Sequence, residues 1–500
     1  MPSRPPFRAT PLRTSCLFAV AALCAGALGG CTFYHAQSLP TASALTTQDS
    51  LARIQIDPAK MPLPELAAHR FDPSDGFDME EVAMLAVANN PDLKLARDDL
   101  GIAQAQAFSA GLLPDPQVAV SSDYPGALGL SRAFSYGLSM DVMAIVTRGA
   151  NKKSADATVR KTDLGLLWQE WQVIAQAKQL YVKTRFQDEA LPLLAQQAEL
   201  TRTRYERTAH AASEHNVTAD SATAALTAYE DARKQYADLL HAREQTHHDL
   251  NALLGLAPGV TLPLADATRD SAIEPLADAT LDDAVAALPQ RRPDLIALQA
   301  GYEAQEQKYR AAILNQFPSL SVGFTRQRDT SEIYTSGFAI NLTLPVFNRN
   351  RGNIAIEQAT RQRLADEYQT RLNTASADIA HLRADDAIAA QQLAQDEAAL
   401  PELDRAAAHA HDAYARRDIA LGQYVDAQSA ALTRRLDAAT AREALAEQRI
   451  GLQALLGSAI PDPYGAQAST QAQTHAQTQA QTQRAAQQTG SAPTTLTVAR

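Results

Sequence analysis

The sequence predicts a mainly α-helical protein that also contributes four short strands to a membrane β-barrel. The chain has 500 residues, of which 6% are aromatic, and this composition favours long helices over a compact mixed core. The chain also repeats itself at the spacing that separates Pro91 from Pro293, which is 202 residues. Each repeat holds two stretches in which apolar and polar residues alternate, as in strands that face lipid on one side.

Residues 1–30 have the features of an export signal. Arginines precede the apolar run "CLFAVAALCAGALGG", which is too short to span a membrane as a helix. The run ends in "LGGC" at Cys31, which resembles the lipobox of bacterial lipoproteins. This resemblance implies that Cys31 becomes the acylated first residue of the mature chain. The alternative is an ordinary cleaved signal peptide with an incidental cysteine.

The composition of the chain and the residues around Cys31 limit where the protein can be located and which partners it can bind. All three cysteines lie within residues 1–31, so we expect no disulfide in the mature chain. Thr32 stands where lipoproteins retained at the inner membrane of enteric bacteria carry Asp, which implies delivery to the outer membrane. The formal net charge of −11 argues against a nucleic-acid partner.

An internal duplication organises most of the mature chain. Pro91 in "NNPDLKLARDDL" and Pro293 in "RRPDLIALQA" each mark the start of a predicted helix, where the missing N–H costs nothing. The same offset relates Pro116 to Pro318. The predicted organisation is a signal peptide at 1–30, an acylated extended segment at 31–78, a first repeat at 79–260, a linker at 261–279, a second repeat at 280–460 and a disordered Gln/Thr-rich tail at 461–500.

The alternating stretches predict two strands in each repeat. In "AFSYGLSMDVMAIV" every second residue of 134–142 is apolar, and "SGFAINLTLPVF" shows the same pattern over 338–344. Their partners are "QVAVSS" and "SLSVGFT". Small and polar residues occupy the second face, and we expect four of them to line a water-filled lumen: Ser139, Asp141, Asn341 and Thr343. A half-buried hairpin of a soluble protein would show the same alternation.

Four strands cannot close a barrel on their own. Strands in a bilayer permit no open edge, and known barrels need at least about eight strands. Closure therefore requires several chains, and three copies would supply twelve strands around an aqueous lumen. We accordingly expect a homotrimer surrounded by outer-membrane lipid.

Coiled-coil-like helices follow the strands in both repeats. Apolar or small residues recur in alternating steps of four and three over 372–414 and again over 225–239, which is a heptad seam. Asp386 and Asp396 interrupt the seam, either as solvated positions or as contributors to a lumen. A helix over 352–414 would be roughly 90 Å long and is too polar to cross the hydrocarbon core. We therefore expect most of the molecule to project from the membrane as a helical tube.

These features together resemble the TolC-like outer-membrane efflux family, and the resemblance covers about residues 80–460. Its most specific part is "YARRDIALGQYVDAQSA", which resembles the family's Tyr-x-x-Gly tip followed by Asp-Val-Leu-Asp-Ala. Tyr414 and Asp426 match this pattern. Arg417 replaces the tip glycine, and Gln423 replaces the first of the two acids.

The resemblance implies a periplasmic gate, in which acids from three protomers form rings. Asp426 keeps one of these acids, whereas Gln423 stands at the position of the other. The alternative for Asp426 is an ordinary acid on a helix surface. Carboxylates that converge on an axis would attract cations and raise one another's pKa values.

The resemblance also implies that the helical tips dock onto a periplasmic adaptor. The first tip fits the family pattern less well, with Thr208 where glycine is expected and a turn that looks longer than its counterpart. The implied adaptor contacts are His210, His215, Arg417, Asp418, Leu421 and Gly422.

The function implied is that of the exit duct of a tripartite efflux system. The partners would be a periplasmic adaptor and an inner-membrane pump of the RND type. The stretch "AQAFSAGLLPDPQVAVSS" is more similar to the CzcC and CusC branch, which exports metal ions, than to the drug-export branch. Metal cations and drugs are the expected cargo classes. The alternatives are a type I protein-secretion channel and a pore-less structural coiled-coil lipoprotein.

An enzyme is not expected, because the sequence holds no nucleophile elbow, phosphate loop or zinc-ligand motif. No cofactor is expected, and the histidines show no recognised metal-ligand spacing. The expected location is the cell outer membrane, with the chain both lipid-anchored and membrane-spanning and with a large periplasmic part.

Overall fold

The computed structural model describes residues 34–126, 129–265 and 278–456. Residues 34–45 belong to a unit of their own and have neither helix nor strand. The predicted signal peptide, Cys31, most of the predicted linker and the predicted tail lie outside the described residues. The predicted domain boundaries stay predictions.

In the first half of the chain, short helices precede a strand pair and two very long helices. Asp78 begins α3 with a capping box, because its carboxylate accepts the Glu81 N–H and the Glu81 carboxylate accepts the Asp78 N–H. Helix α5 has 72 residues and is therefore about 110 Å long. The elements are α1 Gln48–Leu51, α2 Pro64–Ala68, α3 Met79–Asn89, α4 Pro91–Gly111, β1 Gln117–Asp123, β2 Ala133–Asp141, α5 Val142–Ser213 and α6 Ala219–Leu253.

The second half repeats this order from Pro293 onwards. Its first long helix, α10, has 65 residues and spans the region predicted to form a single helix. The elements are α7 Asp278–Ala286, α8 Leu288–Arg291, α9 Pro293–Leu314, β3 Ser319–Arg328, β4 Tyr334–Thr343, α10 Arg351–Ala415 and α11 Leu421–Leu456. The offset of the two prolines also relates the starts of β1 and β3 and the ends of α5 and α10. The sequence duplication is therefore a structural duplication.

The four strands form one antiparallel sheet in the order β1-β2-β3-β4. Strands β2 and β3 join the two halves, with Leu138 opposite Phe324. The alternation predicted that the second strand continues through Val142. This predicted end is wrong, because β2 ends at Asp141 and Val142 begins α5. The Asp141 carboxylate accepts the N–H groups of Met143 and Ala144 and so caps α5.

Apolar residues of the long helices form two main cores within the described chain. The larger core joins α3, α5 and α6 and includes Leu85, Tyr181 and Leu250. The second joins α9, α10 and α11, and its buried residues Ala375 and Ile379 belong to the predicted heptad seam. Burial of small and branched residues at this spacing lets the long helices approach closely.

The two Pro-Asp-Leu helix starts use different chemistry. Asn90 caps α4 by accepting the Leu93 N–H, and its amide donates to the carbonyl of Leu253. Its counterpart Arg292 makes no such cap. The buried Arg292 guanidinium instead lies 4.6 Å from the ring centroid of Trp168 and donates to Asp294 at 2.7 Å. The second helix start therefore ties the two halves together.

The two acids that interrupt the heptad seam each form an ion pair between α10 and α11. Asp386 binds Arg449 of α11 at 3.1 Å. Asp396 is buried and binds Arg434 of the same helix. The buried Asp396 fits neither expectation, whereas Asp386 is only half-buried and its place relative to a lumen stays a prediction.

Candidate functional site

The sheet has one apolar face and one small, polar face, and its apolar face is exposed. Val118, Phe338 and Ile340 are 73%, 89% and 68% exposed. The register places Val118 opposite Leu138 and Ile340 opposite Val322, so the exposed apolar side chains of all four strands share one face. Exposure of such a continuous apolar surface is typical of a surface that contacts lipid or another protein.

The second face carries the residues predicted to line a lumen. Asp141 pairs with Ser321, which pairs with Asn341, and Ser139 pairs with Gly323. Thr343, two residues beyond Asn341, lies on the same face. Gly323 has a packing role, because a Cβ there would lie 2.8 Å from the carbonyl oxygen of Leu138. The structure thus brings Ser139, Asp141, Asn341 and Thr343 to one polar face, and their position in a lumen stays a prediction.

The two helical tips have the same turn, which corrects the sequence-based picture of the first tip. The backbone N–H of Asn216 donates to the carbonyl of Ala211, and the backbone N–H of Asp418 donates to the carbonyl of Ala413, both at 2.8 Å. This is the Schellman arrangement, which places one residue in the left-handed region. That residue is His215 (φ 60°) in the first tip and Arg417 (φ 64°) in the second.

His215, and not Thr208, therefore occupies the glycine position of the first tip. Thr208 lies inside α5, where its hydroxyl donates to the carbonyl of Arg204. The first turn is no longer than its counterpart, since five residues separate the helices in both tips. Glycine usually fills the left-handed position because it has no Cβ, and this chain uses a basic or titratable side chain there instead.

The other predicted tip residues lie at or beside these turns. His210 is 3.4 Å from Glu214, and Asp418 binds Arg416 at 3.0 Å. Leu421 and Gly422 begin α11. His210, His215, Arg417 and Asp418 are exposed, whereas Leu421 and Gly422 are half-buried. Contact of these residues with an adaptor stays a prediction.

The predicted gate residues lie in the first turns of α11. The amide oxygen of Gln423 accepts the Ala420 N–H, so this side chain caps the helix. Asp426 lies within 2.6 Å of Arg204 on α5, and its side chain stays 66% exposed. Beside this pair, Arg207 of α5 donates to the Tyr414 hydroxyl at 2.5 Å. Two polar contacts therefore join the first helical hairpin, formed by α5 and α6, to the second helical hairpin, formed by α10 and α11.

Sequence reasoning missed Arg204 and Arg207. Both lie in "RTRYERTAH", where the run of charges looks like an ordinary helix surface. Their partners lie more than 200 residues away in the sequence, so no local spacing could pair them. The only signal available was the repeat, which places α5 next to the second hairpin.

Two glutamates nearer the other end of α11, Glu443 and Glu447, have pKa values above the ordinary glutamate value. Burial, and then the neighbouring Glu447 carboxylate, raise the pKa of Glu443 to about 7, although Lys183 of α5 opposes the shift. Burial also raises the pKa of Glu447. This helix junction therefore gains protons more readily than free glutamates do.

The described residues contain no group of three or more His, Cys, Asp or Glu side chains placed to hold a metal ion. The searched helices also include none with the length and apolar character needed to cross a bilayer.

Comparisons with known proteins agree with this geometry. Residues 285–458 match the model of the outer membrane efflux protein family. The fold is similar to crystal structures of CusC (TM-score 0.62, 19% identity, covering 80% of this chain and 97% of CusC) and of the Campylobacter jejuni CmeC outer membrane channel (0.63, 17%, 87% and 96%). It is also similar to the open state of the Neisseria gonorrhoeae MtrE outer membrane channel (0.62, 19%, 85% and 98%). No curated protein sequence matches the chain.

The chain therefore has the TolC-like fold of outer-membrane efflux channels, which confirms the resemblance seen in the sequence. Its second half carries the outer membrane efflux protein family match, and the similar structures of CmeC and MtrE are those of outer membrane channels.

Proposed function

We propose that this chain is an outer-membrane efflux channel that assembles as a homotrimer and serves as the exit duct of a tripartite efflux system. The observation that carries the proposal is the two-faced sheet. Its exposed apolar face suits lipid, and its polar face suits water. Strands β1 and β4 have no partner on their outer edges within the described chain, and a bilayer permits no open edge.

The internal repeat supplies a second argument for several copies. Helix α9 packs against both α5 and α10, whereas its counterpart α4 packs mainly against α5. Likewise β2 pairs with β3, whereas its counterpart β4 has no such partner in the described chain. A neighbouring copy would supply the missing helix and the missing strand together, because the same offset relates both contacts. Head-to-tail contacts of this kind, in which two different surfaces of each copy meet, generate a ring when the rotation between copies closes.

Each contact between the two halves of one chain has a counterpart 202 residues away in the repeat. If copies assemble as proposed, these counterparts predict the contacts between neighbouring copies. Ser154 of α5 donates to the Ala304 carbonyl of α9. The corresponding residues are Ile356 of one copy and Ile102 of the next, which are 61% and 56% exposed in the single chain. Two isoleucines thus stand where the chain would need an apolar interface.

The strand edges give the same result. Met140 pairs with Val322 between the halves, and the corresponding pair is Leu342 of one copy and Val120 of the next. Both side chains are apolar and exposed, at 53% and 67%. Three copies joined in this register would give twelve strands, with Ser139, Asp141, Asn341 and Thr343 towards the lumen.

The gate is proposed at the level of Asp426. The Asp426 side chain is largely exposed although it binds Arg204, so its carboxylate is available to the axis of an assembly. Three such carboxylates would attract cations. The contact of Arg207 with Tyr414 would act at the same level, holding the two hairpins of one chain together. Gln423 would line the neighbouring level without a charge.

The exposed tips are the proposed docking surface for a periplasmic adaptor. His215 and Arg417 hold the same left-handed position in the two tips, so an adaptor would meet similar turns around the ring. An inner-membrane pump of the RND type would provide the energy and select the cargo, either metal cations or drugs. Acylation of Cys31 would add a lipid anchor in the outer membrane.

The test is to purify the full-length protein in detergent and to measure its sedimentation and its conductance in planar bilayers. We expect a trimer that conducts ions. A monomer without conductance would refute the channel. A deletion strain challenged with metals, drugs and solvents would separate the cargo classes, and a defect confined to protein export would favour a type I secretion channel instead.

A further inference from the structure

The apolar face of the sheet ends in arginines. Arg326 and Arg328 continue the alternation that begins at Leu320, so they lie on the same face as Phe324. Arg132 immediately precedes β2 at the same end of the sheet. An arginine on a lipid-facing surface is costly at the middle of a bilayer and costs little near the interface. We call these three arginines the rim cluster.

Aromatic rings hold two guanidinium groups of the rim cluster in place. The Arg132 guanidinium lies 3.9 Å from the ring centroid of Tyr124, and that of Arg328 lies 5.0 Å from the ring centroid of Phe134. Phe134 in turn packs edge-on against Tyr334 at 6.4 Å. Aromatic side chains of this kind are common where a membrane protein passes the headgroup region. Two of the three guanidinium groups therefore have ring contacts within the chain that fix their positions.

The rim cluster has more donors than acceptors. Arg328 donates one N–H to the carbonyl of Arg132 at 2.8 Å, and its Nε is buried without an acceptor. The nearby acids are used elsewhere, because Glu332 accepts the Ser131 hydroxyl and Asp329 accepts two backbone N–H groups of its own turn. In the part of the chain that the structure describes, no ion pair is formed by the rim cluster.

We propose that Arg132, Arg326 and Arg328 bind the phosphate of a lipid headgroup in the outer leaflet of the outer membrane. The proposal rests on the proposed function, because membrane insertion brings this end of the sheet to the headgroups. The long helices follow the opposite ends of β2 and β4. The turns that join β1 to β2 and β3 to β4 therefore point away from the periplasm. Guanidinium groups bind phosphate oxygens in a bidentate manner, and the acyl chains would lie on the apolar face below.

The test uses the full-length protein in detergent and native mass spectrometry. The probes are lipid A with both phosphates, the same lipid after phosphatase treatment, and inorganic phosphate. We expect Arg326→Gln/Arg328→Gln to bind the phosphorylated lipid about 25-fold more weakly, at roughly fivefold per arginine. Arg405→Gln removes an exposed charge from α10 and should bind as the wild type does. Arg326→Lys/Arg328→Lys should fall in between.

Equal affinity of the double glutamine variant and the wild type would overturn the proposal. So would equal binding of the dephosphorylated lipid, or displacement of the lipid by an equimolar concentration of inorganic phosphate. Conductance of the double variant shows that it has folded and inserted. Should it fail to conduct, Arg326→Gln alone serves as the test, because Arg326 is exposed. A wild-type protein that neither trimerises nor conducts would instead refute the channel.

Discussion

Replacement of Ile102 by serine should weaken the trimer without disturbing the fold of the single chain. Ile102 lies exposed on α4, and the repeat predicts that it meets Ile356 of α10 in the neighbouring copy. The two side chains are 56% and 61% exposed in the single chain. Ile102 belongs to none of the apolar core clusters of the described residues.

The size of the effect follows from the exposed fractions. Full burial of an isoleucine side chain stabilises by about 2 kcal/mol, so burying the exposed half of Ile102 is worth about 1 kcal/mol at each interface. A closed trimer has three such interfaces, and the loss would be roughly 3 kcal/mol for the assembly. The equilibrium between trimer and monomer should therefore shift by about a hundredfold or more.

Analytical ultracentrifugation of the detergent-solubilised protein measures this shift. Ile102→Leu keeps the apolar volume and should sediment as the wild type does. In a parallel assay, Ile102→Cys/Ile356→Cys should form disulfides between chains, and each single cysteine variant should not. A wild-type trimer in which the double cysteine variant never cross-links would refute the helix pairing derived from the repeat.

Three further predictions follow from the gate, the acid pair and the tips. Asp426→Ala should raise single-channel conductance or weaken block by multivalent cations, and Arg204→Ala should leave that block intact, both measured in planar bilayers. Because the folded pKa of Glu443 is about 7 against an ordinary 4.5, the folded state binds more protons between these values and its stability falls as pH rises through that window. Glu443→Gln should therefore stabilise by about 1 to 2 kcal/mol at pH 8, after allowance for partial solvent exposure, and by little at pH 4, as read from thermal unfolding. His215→Gly and Arg417→Gly should each stabilise the fold by about 1 kcal/mol, because glycine tolerates the left-handed region, while weakening adaptor binding if these side chains contact the adaptor.

The repeat and the strand alternation could be predicted because both depend on short-range patterns. The offset between Pro91 and Pro293 reappears in the strands and in the tips, since duplicated sequence folds in the same way. The end of β2 was missed by one residue because Val142 fits the alternation, while the carboxylate of Asp141 starts a helix there. Local apolar periodicity does not record which of two structures a capping side chain selects.

Side-chain pairing across the helices could not be predicted from the sequence. Asp386 and Asp396 look like interruptions of an apolar seam until α11 brings Arg449 and Arg434 beside them. The charge of such an acid is compensated by a residue about 40 to 60 positions away. A heptad pattern identifies the buried stripe and says nothing about the partner that crosses it.

The two halves differ where a gate would need them to differ. Arg204 and Asp426 join α5 to the second hairpin inside one chain. The residues one repeat away from this pair are Ala406 and Ala224, which would face each other between neighbouring copies and can form no ion pair. Three copies would place six helical hairpins in a ring. At this level, ion pairs would then join the two hairpins of each chain, and no ion pair of this kind would join hairpins of neighbouring chains. We therefore expect the constriction to widen between chains, with the two hairpins of each chain moving together, because the junctions between chains have the weaker contacts.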